Sequence, residues 1–202
     1  MKTQKQTLID KSRWDNAISY SEYRQLIDGL LDQKKTTGED HSDKMIEYTQ
    51  LNVQRMSKWD KISIINDELA LAIENITKKQ HWLIITEAWC GDAAQNIPII
   101  SKMADLNENI ELRFILRDEN LDIMDNYLTN GGRSIPKLII LDEDFNELGT
   151  WGPRPEPVQK LLAEFKSNPE ASYEDFAVIV HTWYGKDRNA TIQKEFLSLL
   201  SK

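Results

Sequence analysis

Among the residues able to carry covalent chemistry, Cys90 stands in the most telling surroundings, the run Trp89-Cys90-Gly91-Asp92-Ala93. The apolar segment Trp82-Leu83-Ile84-Ile85-Thr86 leads into it and a helical pattern leads out. A cysteine at a helix start faces unpaired N–H groups and the positive end of the helix dipole, and both favour the thiolate, the nucleophilic form. The position therefore predicts a thiol that is at least partly exposed and reactive. It is the one cysteine of the chain, which excludes an internal disulfide and a zinc site of several thiolates. A lone cysteine in an arbitrary setting is usually one more small buried apolar residue; the strand, Trp-Cys-Gly, helix context reverses that reading.

The other constellations are weaker. His41, His81 and His181 lie far apart in sequence with no partner at metal-ligand spacing, so no metal or cofactor is expected, and nothing in the spacing recommends His81 or His181 as a base for Cys90. Asp142-Glu143-Asp144-Phe145-Asn146 begins like a calcium loop, but Glu147 stands where that loop needs Gly and Pro153 where it needs Glu, so an acidic hairpin turn is the better reading. Trp151 and the cluster His181-Thr182-Trp183-Tyr184 read as packing residues, whereas Trp89, beside the cysteine, is expected to be partly exposed and to touch a partner.

The elements that must position Cys90 follow from apolar periodicity. Ser19 and Glu22 form a capping box ahead of a helix whose face is Tyr23, Leu26, Ile27, Leu30 and Leu31. A break over 34–42 precedes helices at about 43–58 and 67–76, with Met45, Ile46, Val53, Met56, Leu69, Ala70, Ile73 and Ile76 turned inward. The run 82–86 reads as a central strand buried on both faces. A helix over 92–106 with Pro98 inside it, a strand over 110–116 alternating at Ile110, Leu112 and Phe114, and a helix over 121–128 follow. Strands at 137–141 and 147–151, joined by the acidic turn, close the middle, followed by a helix through about 166. Two further helices from Ser172 flank a break at Tyr184-Gly185-Lys186. Right-handed crossovers plus a closing antiparallel hairpin give a mixed sheet with helices on both faces.

These residues resemble the thioredoxin-like superfamily. Trp89-Cys90-Gly91 matches the start of the motif Trp-Cys-Gly-Pro-Cys, and Gly132-Arg133-Ser134-Ile135-Pro136 resembles the loop before the third strand, where thioredoxins hold a cis-proline opposite the active cysteine. Gly152 resembles the glycine that follows their last strand. The resemblance covers roughly 67–166, and Trp-Cys-Gly-Asp, Arg-Ser-Ile-Pro and Trp-Gly-Pro-Arg-Pro together look like a bacterial branch with extra helices before and after the core. It implies an α/β thioredoxin-like fold divided as a 1–66 helical extension, a 67–167 core and a 168–202 helical extension. It further implies Cys90 as nucleophile, with Trp89, Gly91, Asp92, Ile135 and Pro136 lining a substrate groove. Arg133, beside the proline loop, is a candidate cation for an anionic low-molecular-weight thiol.

The departures from the motif restrict the chemistry. Ala93 stands where the resolving cysteine would be, Ile84 replaces the buried acid six residues before the cysteine, and Asp92 replaces the motif proline. Dithiol cycling is excluded by composition. Monothiol exchange survives, with Cys90 forming a mixed disulfide to a protein thiol or a low-molecular-weight thiol that an external thiol resolves. The alternative is a binding module of the same fold without redox chemistry, and an iron–sulfur scaffold, needing a dimer and external thiols, ranks third.

Composition bounds the partners. The 202 residues carry 25 Lys and Arg against 33 Asp and Glu, a formal charge of −8, which argues against nucleic acid and anionic membranes. A hydrophobic share of 40% with six tryptophans supplies a real core. The polar start Met1–Asp10 lacks a secretory h-region, so the cytoplasm is the expected location.

Overall fold

Every residue of β1 (Gln80–Thr86) from His81 onward is buried, as a strand with partners on both edges requires. The computed structural model describes residues 8–167, 170 and 172–201; most of the polar start Met1–Asp10 and the expected boundary at 167/168 fall outside these residues in whole or in part. β2 (Ile110–Leu116) pairs with β1 in parallel, Trp82 opposite Leu112. β3 (Lys137–Asp142) lies antiparallel on the other edge, Trp82 opposite Ile140, and β4 (Glu147–Trp151) pairs antiparallel with β3. The order is β2-β1-β3-β4, a mixed sheet with helices on both faces.

The helices of the described chain are α1 (Lys11–Asp15), α2 (Tyr20–Asp32), α3 (Asp43–Ile62), α4 (Asp67–Glu74), α5 (Gly91–Ala104), α6 (Leu121–Met124), α7 (Glu156–Ser167), α8 (Tyr173–Asp187) and α9 (Ala190–Leu200). α2 begins with both reciprocal hydrogen bonds of the Ser19–Glu22 capping box. Its buried Tyr23 stacks on Phe114 of β2, ring centroids 5.4 Å apart. Outside β2, Ile18 bridges Phe114 in both directions, so part of that sheet edge is satisfied. One apolar cluster runs from Ile9 through the sheet to Phe196. A second, smaller one joins α7 and α8 through Val158, Phe176, Val180 and Tyr184.

Three sequence expectations shift. The helix from Leu121 ends at Met124, because Asn126 and Tyr127 donate three residues back in tighter turns. The C-terminal break lies at Arg188 and Asn189, both left-handed, while Gly185 stays inside α8 because Tyr184 is locked into the interior. Leu112 is only half-buried, since β2 is an outer strand. The acidic turn is closed by Asp142, whose carboxylate accepts from the N–H groups of Asp144 and Asn146 at 2.9 and 2.8 Å. Among the described residues no helix is long and apolar enough to cross a membrane.

Candidate functional site around Cys90

The turn from β1 into α5 is clamped from the N-terminal side. Thr37 Oγ1 accepts from the N–H of Ala88, and Asn52 Nδ2 of α3 donates to its carbonyl, each at 2.9 Å. Both threonines of the 34–42 break are buried, and Thr36 Oγ1 lies 2.6 Å from Thr49 Oγ1 of α3. With both groups of the Ala88 peptide held, Cys90 is fixed as the N-cap of α5. The helical segment before β1 therefore positions the site as well as covering it.

The fold buries the thiol. Cys90 is 8% exposed, its side chain makes no cap hydrogen bond to the α5 start although the nearby Asp92 and Ala93 N–H groups favour its thiolate, and its thiol donates to the carbonyl of Ile135 at 3.3 Å. Burial, and then the negative charge of Asp92, outweigh these helix-start amides and push the thiol up to about 12. The expectation of an exposed, thiolate-favouring cysteine is corrected on that point. The physical reason is α8, which closes over the helix start with Phe176, Val180 and His181.

A cavity of about 490 Å³ remains beside the sulfur, and Trp89, Gly91, Asp92, Arg133 and Ile135 line it with Cys90. Pro136 does not line this cavity; it is buried behind Ile135, and the Ile135–Pro136 peptide is cis, as is Gly152–Pro153. Trp89 is half-buried, with the Arg117 guanidinium 4.8 Å from its ring centre. Arg133 sits at the surface and is engaged by Asp125 at 2.7 and 2.9 Å, so the cation anticipated for an anionic thiol already has a carboxylate. The Ile135 carbonyl, anticipated as a substrate contact, already accepts the thiol.

Four contributors escaped the sequence reading. Arg154 forms a partly buried ion pair with Asp92, Nε to Oδ2 2.8 Å. Tyr184 donates to the other oxygen of that carboxylate at 2.8 Å and accepts from Asn96 at 2.9 Å. Tyr184 and His181 belong to the cluster read as packing; only the tertiary fold brings α8 to the cysteine. Glu87 is fully buried three residues before Cys90, Oε1 accepting from the Asp118 N–H and Oε2 without a hydrogen-bond partner. Burial raises its carboxyl above the usual range. Ile84, where the resemblance would place an acid, is core. The fourth is Arg55 of α3, half-buried near Gly91. No group of three or more His, Cys, Asp or Glu side chains able to hold a metal occurs among the described residues.

Comparison with known proteins bears on this geometry. Residues 38–166 match the thioredoxin family, a span that includes α3 and the clamped turn. No curated protein matches the sequence. Two solved structures share the fold: a protein of unknown function from Pseudomonas aeruginosa, 18% identical with a TM-score of 0.62, and an HIV epitope-scaffold, 18% identical with a TM-score of 0.60. Each alignment covers 96% of this chain and 98% of the other, so the likeness extends through the flanking helices.

Proposed function

Because the chain belongs to the thioredoxin family, we propose that it is a thioredoxin-fold binding protein whose Cys90 is kept as a protonated thiol. The observation that carries this reading is the sulfur itself, buried and donating its proton to the Ile135 carbonyl. A thiol held near 12 is thiolate in only about one molecule in 10⁵ at neutral pH, and the thiolate is the form that attacks disulfides. Fold likeness by itself assigns no activity. The Trp-Cys-Gly-Asp run with helices on both flanks further suggests the bacterial branch of the family.

Monothiol exchange is the second reading, favoured by the place of Cys90 as N-cap of α5, where the Asp92 and Ala93 amides lower the thiol against burial. In that chemistry the Cys90 thiolate attacks a disulfide of a protein or a low-molecular-weight thiol. A mixed disulfide forms, the other sulfur leaves as thiolate, and an external thiol must release Cys90 because Ala93 cannot. It requires α8 to move off the helix start. Alkylation of Cys90 followed against pH separates the two. A midpoint well above about 8.5, the ordinary thiol value, is the outcome expected here; a midpoint below it would replace the binding reading with exchange.

A further inference from the structure

Next to the cavity at Cys90, and sharing Trp89, Gly91 and His181 with it, residues of α3 and α8 line a second cleft of about 540 Å³ that Cys90 itself does not line. Its lining is mainly apolar, with Leu51 on α3, Ala177 and Val178 on α8, and Trp89. Leu51 and Val178 are 45% and 67% exposed, so apolar surface is uncovered along it. The Lys44–Glu174 ion pair, 3.4 Å, spans the two helices at one end, and Arg55 and His181 stand at the other.

Arg55 is unusual in this molecule. Every other arginine, the exposed Arg188 apart, is in an ion pair. Arg55 is half-buried, donates from Nη1 to Asn52 Oδ1 at 2.8 Å, and has no carboxylate within ion-pair distance among the described residues. A half-buried guanidinium with an amide oxygen but no anion as partner keeps N–H groups to offer, and it is the side chain best shaped to take a carboxylate through two of them. His181 adds a second donor of fixed sense. The Trp59 indole can only donate, so the Gln95 amide oxygen faces it, and the Gln95 amide nitrogen donates to His181 Nδ1 at 2.9 Å. The ring proton is thereby placed on Nε2. Both side chains flank Gly91: a Cβ there would lie 3.0 and 3.2 Å from His181 Cε1 and Nε2 and 3.7 Å from Arg55 Nη1, so the absence of a side chain at Gly91 lets the two donors stand on the same side of the α5 start.

We infer that this cleft binds a small carboxylic acid with an apolar body, its carboxylate held by Arg55 and His181 and its body lying between α3 and α8 against Trp89. The site does not depend on the state of Cys90. Its volume falls within the range of small-molecule pockets, and an apolar wall with a few convergent donors is their usual construction.

The test is calorimetric titration of the full-length protein with octanoate up to about 10 mM, a range set by the modest affinity ten heavy atoms can supply. Octylamine and 1-octanol serve as cationic and neutral controls. Octanoate should bind, both controls at least about ten-fold more weakly, and Arg55→Gln should weaken octanoate by about ten-fold or more while Cys90→Ser leaves it unchanged. If Arg55→Gln fails to fold by circular dichroism, Leu51→Glu, at an exposed wall position, should produce the same loss. In NMR, octanoate should shift the Trp89 indole and the His181 Nε2–H resonances. Absence of octanoate binding, equal binding of octanol or octylamine, unchanged affinity in the variants, or shifts at a different site would each overturn the inference. Because Cys90→Ser retains the cleft, the outcome is independent of the alkylation experiment above.

Discussion

Asp92 acts on Cys90 in two opposed ways. Its own charge disfavours the thiolate, while the Arg154 it anchors favours it. Asp92→Asn removes the anion and leaves the cation, so alkylation of Cys90 at pH 8 should accelerate about ten-fold, equivalent to about 1.4 kcal/mol in thiolate stability. The same change breaks a partly buried pair, at a cost below the roughly 3–5 kcal/mol of a fully buried one, and denaturant unfolding should report the loss. An unaltered alkylation rate in the folded variant would show that the carboxylate does not govern the thiol. His181 supplies a second residue-scale prediction. Burial, and then Arg55, lower it to about 4, against an ordinary value near 6.5. Between those values the unfolded chain binds the extra proton, so stability is retained above about pH 6.5 and is lost as pH falls toward 4. Glu87 and Asp105, held above the carboxylate range by burial, act in the opposite sense. The comparison with His181→Gln therefore isolates the histidine: wild type should lose about 1–2 kcal/mol more than the variant across that window, allowing for solvent screening at a partly exposed ring. Equal slopes would contradict the neutral assignment.

At the scale of elements, the site hangs on two junctions. After β4, Gly152 has φ +110, and a Cβ there would sit 2.2 Å from the Pro136 carbonyl oxygen. Gly152→Ala therefore meets both a clash with backbone and a left-handed conformation, and should destabilise by more than about 3 kcal/mol; a denaturation midpoint near wild type would mean the junction tolerates displacement. At the start of α5, Asn52 donates to the Ala88 carbonyl. Asn52→Ala leaves that buried acceptor unpaired at a cost of about 1–3 kcal/mol, and looser hold on the Cys90 turn should appear as faster alkylation. These junctions explain why sequence periodicity located the strands so well and the helix ends less well. Apolar runs and alternation mark β1 to β4 and the Ser19–Glu22 box marks α2, because burial and capping are local in sequence. The early end of α6 depends on where Tyr127 packs, which no local pattern records.

For the molecule as a whole, α8 decides whether Cys90 meets solvent. It is tied to α7 through a small separate cluster of four buried residues, while the sheet and its neighbouring helices share the main core. Opening free energies follow buried apolar contact. Amide hydrogens of α8 should accordingly exchange faster than those of β1 and β3, and Phe176→Ala should raise Cys90 alkylation several-fold with little change in exchange of the sheet. Equal protection of α8 and β1 would mean that the cover opens only on global unfolding.

Several properties of this protein are fixed by the residue string alone. A single cysteine with Ala93 three residues on forbids an internal dithiol whatever the fold, because that is a matter of counting sulfurs. The buried run before Trp-Cys-Gly and the proline loop 45 residues later place the chain among thioredoxin-like folds, because strand burial and turn chemistry are written in neighbouring residues. The reactivity of the cysteine is different in kind. A pKa is set by everything within several ångströms, and here that includes Arg154, Ile135 and an α8 more than 80 residues away in sequence. The helix-start amides that the sequence placed correctly are present, but desolvation by distant segments exceeds their effect. Arg55, Gln95 and His181 likewise carry no signal along the chain, and become a pair of convergent donors only when α3, α5 and α8 pack together.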